Sequence, residues 1–369
     1  MTSKLRLGII GAGSIARLGH FPAIQQMPEV ELVAICRRNK EKADELGKQW
    51  GVREIYYDYR DLVKSKNIDA VIVTTPNANH REGVVAAAEE GKHVLCDKPI
   101  ATNLKDAREM VKACKENKVK FQMGFNQRFW NQVEIAKQLV EEGTIGKVMG
   151  FSTTFKVRVA SYPADTDYRF QTELSGGSCL IDAGIHRIDM ARYFMGDIKE
   201  VCAVVKHAIV PQKVDDCAWL LCNFESGASG FISSDIYSPA MDNTTGLYGD
   251  EGTIYISSET INPFQSVPLA VYTEKSIDKI PEIIIKYFYP KVWWDQPKEN
   301  WISIIPPRDM CYLKQLKAFY RSIMEDREPP VTGEDGVKSL EIVLAAYKSA
   351  REKAWVTLPL KEDMVEPPL

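Results

Sequence analysis

Leu5-Arg6-Leu7-Gly8-Ile9-Ile10-Gly11-Ala12-Gly13-Ser14-Ile15-Ala16 is the stretch whose reading decides the fold. Leu5, Leu7, Ile9 and Ile10 make an apolar run about the length of one buried parallel strand. The run enters a G-x-G-x-x-A turn, Gly11 to Ala16, that opens a helix. Gly11 permits the tight turn, Gly13 lets the backbone approach a pyrophosphate, and Ala16 is small enough for close helix–strand packing. Phosphates then sit at the helix N-terminus beside the unpaired N–H groups of Ser14, Ile15 and Ala16. A second apolar run, Val30–Cys36, completes a βαβ unit of the expected length. In that context the glycine turn predicts a dinucleotide site rather than a structural turn.

The rest of the chain must accommodate that unit. A length of 369 residues exceeds one ordinary core, so two domains are expected. A net charge of −3 gives no electrostatic case for nucleic acid or an anionic membrane as partner. The N-terminus reaches a strand within a few residues without signal-peptide architecture, and no apolar run is long enough to span a bilayer. The eight cysteines are scattered without a C-x-x-C pair, and several lie inside apolar runs. This usage predicts reduced thiols in a cytoplasmic protein, with neither a disulfide framework nor a zinc site.

Residues 1–124 alternate strands and helices, which implies a doubly wound parallel sheet, a Rossmann domain. Strands are expected at Leu5–Ile10, Val30–Cys36, Ala70–Thr74, His93–Leu95 and Lys120–Gly124. Their right-handed crossovers bring Thr75-Pro76, Asp97-Lys98-Pro99 and Phe125-Asn126 to one edge. Residues 125–369 read as an α+β domain around a large, mostly antiparallel open sheet, with a helix over Cys179–Met195 and later helices at Met310–Met324 and Gly336–Ala354. The aromatic-rich stretch 261–307 predicts an irregular excursion packed on that sheet, with a subunit contact or pocket wall as the alternative.

Three constellations carry chemistry. The end of the second strand reads Cys36-Arg37-Arg38-Asn39, with no acid for a ribose 2′-hydroxyl. Guanidinium groups there bind a 2′-phosphate, which favours NADP over NAD; the alternative is that both arginines are only solvated. Lys98, just past a strand end, is placed to hydrogen-bond a substrate oxygen and donate a proton, or is a surface charge. On a helix, Asp182 and His186 stand at i and i+4, with Asp189 one turn further. That spacing fits a carboxylate-held general base, a structural His–Asp pair, or a divalent metal site.

These stretches, in this order, resemble the Gfo/Idh/MocA family of oxidoreductases. The resemblance rests on Gly11–Ala16, Thr75-Pro76-Asn77-Ala78-Asn79-His80, Lys98-Pro99, Gly124-Phe125-Asn126-Gln127-Arg128-Phe129 and the Gly176–Asp189 segment. It implies that Lys98, Asp182 and His186 are catalytic, and that Thr75, Asn77, His80, Asp97 and Asn126 line the cofactor cleft. Asp97 departs from the glutamate usual in the family. The resemblance also implies a homodimer or homotetramer formed through the C-terminal sheet.

The resulting expectation is an oxidoreductase that uses NADP, with NAD possible, on a secondary alcohol or ketone of a sugar, inositol or related polyol. His186 acts as base, Asp182 orients it, Lys98 holds the reacting oxygen, and no metal takes part. Arg128, Tyr168 and Arg169 are candidate substrate ligands from their closeness to the motifs. The alternatives are an enzyme of the same fold acting on a non-sugar carbonyl or dihydrodiol, and a non-catalytic dinucleotide sensor.

Overall fold

The structure, a computed structural model, describes residues 4–158, 166–257, 267–275, 281–287, 301–308 and 310–368. Its first unit is a six-stranded parallel sheet: β1 (Leu5–Ile10), β2 (Val30–Cys36), β3 (Glu54–Tyr56), β4 (Ala70–Val73), β5 (His93–Asp97) and β6 (Phe121–Gly124). The strand order β3-β2-β1-β4-β5-β6 reverses direction at β1/β4, which opens a crevice beyond the strand ends. Every residue of β4 and β6 is buried, as expected for strands covered on both faces. The cover comes from α1 (Phe21–Gln25), α2 (Lys40–Trp50), α3 (Tyr59–Val63), α4 (His80–Glu89) and α5 (Leu104–Glu116). Asn39, Asp58 and Asn103 cap α2, α3 and α5 by accepting a backbone N–H, which fixes where each helix starts.

The second unit is a nine-stranded sheet in the order β14-β13-β12-β11-β7-β10-β9-β8-β15. Its strands are β7 (Val148–Lys156), β8 (Ile198–Lys206), β9 (Cys217–Phe224), β10 (Ser229–Asp235), β11 (Thr244–Gly249), β12 (Gly252–Ser257), β13 (Leu269–Thr273), β14 (Ile302–Ile304) and β15 (Val356–Thr357). All pairings are antiparallel except β7 with β10, so the open sheet is mostly antiparallel as expected. The helices of this unit are α6 (Asn131–Glu141), α7 (Thr172–Ser175), α8 (Ile185–Met195), α9 (Glu282–Tyr287), α10 (Cys311–Met324) and α11 (Gly333–Glu352). Helices α8 and α11 pack on the inner face of the sheet. The outer face leaves Val204, Trp219, Leu221 and Phe231 exposed on the adjacent strands β8, β9 and β10.

The expected domain boundary, residue 124, is the last residue of β6. The C-terminal part returns across it. Leu316 and Phe319 of α10 enter the same core cluster as Leu7, Ile9 and Phe21. The Val331 carbonyl accepts the Met123 N–H at 2.9 Å, and Gln122 bridges Thr332, so this segment covers the free edge of β6. Of the stretch 261–307, the residues at 261–266, 276–280 and 288–300 lie outside the described residues. Trp301 is described, and it stacks on Tyr255 with ring centroids 5.6 Å apart.

Candidate active site

The glycine turn follows β1 directly, and Gly11 has φ +88°, a conformation open to glycine at little cost. A Cβ there would lie 2.7 Å from the Thr75 backbone nitrogen, so only glycine lets the β1 and β4 ends approach this closely. The helix behind the turn begins with a π-helical turn, Ala16–His20, before α1. Gly11, Ala12, Gly13, Ser14, Ile15, Arg37, Arg38, Thr75 and Pro76 line one cleft of about 510 Å³ together with Tyr168 and Arg169 from the second unit. Ala16 lies behind it, fully buried against the strand. The two arginines differ. Arg37 Nη1 donates to the Ala12 carbonyl at 3.0 Å and braces the turn, whereas Arg38 is exposed at the cleft.

Lys98 stands immediately after β5, preceding a cis Pro99. Its ammonium donates to the Asp182 carbonyl at 2.6 Å and to Asp182 Oδ1 at 2.7 Å. Arg169 Nε donates to the other carboxylate oxygen at 3.0 Å, and its guanidinium lies 4.9 Å from the Tyr168 ring centroid. Asp182 therefore holds two cations that arrive from different units. Burial opposes its ionisation, but Lys98 and then Arg169 outweigh burial and keep the carboxyl well below the usual carboxylate range.

His186 lies close by on α8, between the rings of Phe125 and Phe155 at 6.4 and 6.1 Å. Burial, then the Lys98 and Arg187 cations, push its pKa well below the ordinary histidine value, and Asp182 pulls the other way. The imidazole is thus neutral and a proton acceptor at neutral pH. Its Nδ1 has no hydrogen-bond partner. The expected Asp182–His186 pairing takes an indirect form. Asp182 belongs to a second π-helical turn, Cys179–Gly184, whose spacing is wider than an α-helix, and its oxygens face Lys98 and Arg169. Asp182 supports a protonated His186 through its charge.

Asp215, which the sequence reading missed, shapes that turn. Its carboxylate accepts the N–H groups of Ser178 at 2.6 Å and Leu180 at 2.8 Å, ending the free donors where the segment begins. A Cβ at Gly177 would collide with the Tyr347 hydroxyl on the same carboxylate, and Gly177 has φ +132°. The only sequence signal was the Asp215-Asp216 doublet before β9. Arg187 was missed as well. It is fully buried between Trp130 and Phe155, with Nη2 donating to Gln127 at 2.7 Å. Burial lowers its pKa to about 9.

Of the remaining site candidates, Thr75 lines the cleft, and Asn77, His80, Asp97, Asn126 and Arg128 are not among its lining residues. Asn77 Nδ2 donates to the Ser175 carbonyl at 2.9 Å, tying the two units together, while its buried Oδ1 has no partner. The buried Thr75 hydroxyl is also unpartnered. His80 places its two ring nitrogens 2.8 Å from the carbonyls of Pro99 and Thr75 and clasps both strand-end loops from below. Asn126 reaches the Cys311 sulfur at 3.6 Å. Asp97 faces His20 at 3.3 Å. Arg128 is engaged by two carboxylates. It is 8% exposed and grips Asp189 through two bonds of 2.8 and 2.6 Å, with Asp335 at 3.3 Å. Its nearness to the motif in sequence does not translate into nearness to the cleft. The same grip takes Asp189 away from Asp182 and His186, and no group of three or more His, Cys, Asp or Glu side chains among the described residues could hold a metal ion.

A dinucleotide fits this cleft. The helix N-terminus at Ser14 and Ile15 suits a pyrophosphate, and Arg38 and Thr75 line the same cleft. All eight cysteines are free thiols. Among the described residues, no helix is long and apolar enough to cross a membrane.

Comparison with known proteins bears on both units. Residues 5–125 match the model of an oxidoreductase family with an NAD-binding Rossmann fold, Gfo/Idh/MocA, and residues 133–255 match that family's C-terminal domain. The chain is 30% identical over 364 residues to a myo-inositol 2-dehydrogenase of Thermotoga maritima, covering 96% of this chain and 98% of that one. It is 27% identical to a D-xylose 1-dehydrogenase (NADP(+)) of Haloferax volcanii, covering 96% and 100%. Among solved structures it resembles a levoglucosan dehydrogenase in complex with NADH, with a TM-score of 0.84, 26% identity, and 97% and 100% of the two chains covered.

Proposed function

The chain belongs to the Gfo/Idh/MocA family of NAD-binding oxidoreductases, and from that premise we propose that it interconverts a secondary alcohol and a ketone on a sugar, inositol or related polyol, with NADP preferred. The observation that carries this reading is the meeting of Lys98, from the end of β5, with the Asp182–His186 segment of the second unit beside the dinucleotide cleft. A bound nicotinamide supplies the hydride acceptor in one direction and the donor in the other.

The chain's own groups handle the proton and the charge. In oxidation, neutral His186 takes the hydroxyl proton. Lys98 holds the same oxygen through an ammonium hydrogen while keeping its contact with Asp182. The Asp182 charge steadies the imidazolium that results, and Arg169 fixes the second carboxylate oxygen so that the carboxylate cannot swing. In reduction His186 returns the proton. Tyr168 and Arg169 are the proposed substrate ligands, at the junction of the cleft and the Asp182 carboxylate.

The cofactor preference rests on Arg38, exposed at the cleft with no acid at the end of β2, while Asp58 is engaged by Arg60 at 3.1 Å. The exposed apolar side chains of β8, β9 and β10 support a homodimer or homotetramer through the open sheet, and the free thiols support a reducing, cytoplasmic setting.

The test is an initial-rate survey of inositols, pyranoses and aromatic dihydrodiols with either cofactor, following the absorbance of the reduced nicotinamide. Turnover of a ring polyol is expected. Turnover confined to a dihydrodiol would move the substrate class, and cofactor binding without any turnover would point to a sensor.

A further inference from the structure

His20 is the last residue of the π-helical turn behind the glycine turn, and it is 1% exposed. Its Nε2 lies 3.3 Å from Asp97 Oδ1, and its Nδ1 has no partner. Nothing in the dinucleotide or proton chemistry above uses it. A buried imidazole with one polar partner is costly unless that partner's position is defined.

Asp97 is defined on its other side by Gly124. A Cβ at residue 124 would lie 2.7 Å from the same Asp97 Oδ1, so a glycine leaves room for the carboxylate to turn toward His20. His20 is held in turn by Tyr312 of α10, edge-on with ring centroids 5.1 Å apart. Gly19 allows that contact, since a Cβ there would lie 2.8 Å from the Tyr312 ring. Two glycines and an aromatic ring from α10 thus enclose one imidazole–carboxylate pair. Asp97 is the residue immediately before Lys98.

We propose that His20 and Asp97 form a positioning pair that fixes the Lys98 segment relative to the glycine-turn helix. The pair connects the helix that anchors the cofactor phosphates with the strand end that presents the Lys98 ammonium. It touches no reacting atom. The His20 Nε2–H donates to the Asp97 carboxylate, and that bond sets the direction in which the chain leaves β5. The inference rests on the reading of Lys98 as the group that holds the reacting oxygen.

The test uses the full-length protein saturated with cofactor and compares His20→Leu, His20→Gln, Asp97→Ala and the double variant His20→Leu/Asp97→Ala. Misplacing a catalytic group by about 1 Å costs on the order of 10²-fold in rate, so His20→Leu and Asp97→Ala should each lower kcat by about 10- to 100-fold. Substrate KM should remain near wild type throughout, and cofactor Kd should remain near wild type in the two single His20 variants, because His20 makes no binding contact. His20→Gln keeps an N–H donor near the Nε2 position and should restore most of kcat. The double variant should be no worse than the poorer single variant, since both remove one interaction. A His20→Gln enzyme as impaired as His20→Leu, multiplicative losses in the double variant, or a loss carried by KM, or by Kd in a single His20 variant, would each overturn the pair. Should His20→Leu not fold, His20→Gln near wild type beside an impaired Asp97→Ala supports the pair, and equal impairment of the two refutes it. Lys98→Met measured in parallel separates the two levels. Unchanged turnover there sinks the site reading itself, whereas a large loss there with an unaffected Asp97→Ala sinks only the pair.

Discussion

Replacing Lys98 by methionine removes a charge while keeping an unbranched side chain of similar reach. In the structure the ammonium makes two short hydrogen bonds to Asp182, at 2.6 and 2.7 Å. A hydrogen bond to a charged group contributes about 1.5–3 kcal/mol, so the Asp182 segment loses part of its anchoring, although Arg169 still holds Oδ2. The larger effect falls on the reaction, where a positioned proton-transfer group is worth about 10²- to 10⁴-fold in rate. The variant should therefore lose kcat/KM by about that range, while cofactor affinity changes modestly. A second consequence concerns pH. Lys98 is one of the cations that push the His186 pKa down, next after burial itself. Without it the His186 pKa rises. Oxidation needs neutral His186, so the rate falls as pH drops through that pKa, and a raised pKa moves the acid limb of kcat/KM to higher pH. Steady-state kinetics from acid to alkaline pH, beside cofactor titrations, reads both effects. Turnover within a few-fold of wild type, or a severe loss with the acid limb unmoved, would refute the reasoning.

Asp189→Asn leaves Arg128 buried without its bidentate partner; breaking such a pair costs about 3–5 kcal/mol, softened here by Asp335 at 3.3 Å, and urea unfolding should show the loss. Acid should destabilise the fold from the ordinary histidine pKa of about 6.5 downward. Burial first of all lowers the pKa of His186, so the unfolded chain binds a proton there before the folded one does, and the thermal midpoint should fall as pH drops from neutral to mildly acidic. An unchanged midpoint would contradict the burial of His186 as a neutral ring. Arg38→Asp should reverse the cofactor order, because a charged hydrogen bond to a 2′-phosphate is worth roughly 1–3 kcal/mol, whereas Arg37→Asp should first disturb the glycine turn through the Ala12 carbonyl. Equal wild-type affinity for both cofactors in competitive titrations would remove the basis of that assignment. Activity should survive chelation, since Asp182 and Asp189 are held by arginine and lysine; a stoichiometric metal whose removal abolishes turnover would count against the mechanism.

The Rossmann unit was legible because its strands are buried on both faces and read as continuous apolar runs. β1 and β2 have the expected bounds, and the other three expected strands differ only by a residue or two at their ends. β3 was not legible, since three half-buried residues, Glu54–Tyr56, give no period to detect. The same holds for β14 and β15, three and two residues long, whose pairing is decided by strands far away in sequence. In the site, chemistry tied to a local backbone motif was readable, and chemistry tied to tertiary partners was not. Lys98 and His186 lie in the segments expected of them. The i, i+4 relation of Asp182 and His186 assumed α-helical spacing, whereas the chain makes a π-helical turn pinned by Asp215, which lies thirty-odd residues further along the chain. Arg128 looked available for substrate because sequence neighbours do not reveal that Asp189 and Asp335 converge on it.

The return of the chain to the first unit bears on how the protein emerges from the ribosome. Strands β1 to β6 are complete by residue 124, yet their core still lacks Leu316 and Phe319, and one margin of the sheet lacks Val331. At about 5–20 residues per second, the nascent Rossmann unit waits tens of seconds for these groups. During that interval an apolar groove and an unpaired strand face solvent, which is the period in which a holding chaperone matters most. A chain interrupted before α10 would retain its glycine turn and its nucleotide chemistry on paper, but with a first unit that never closes.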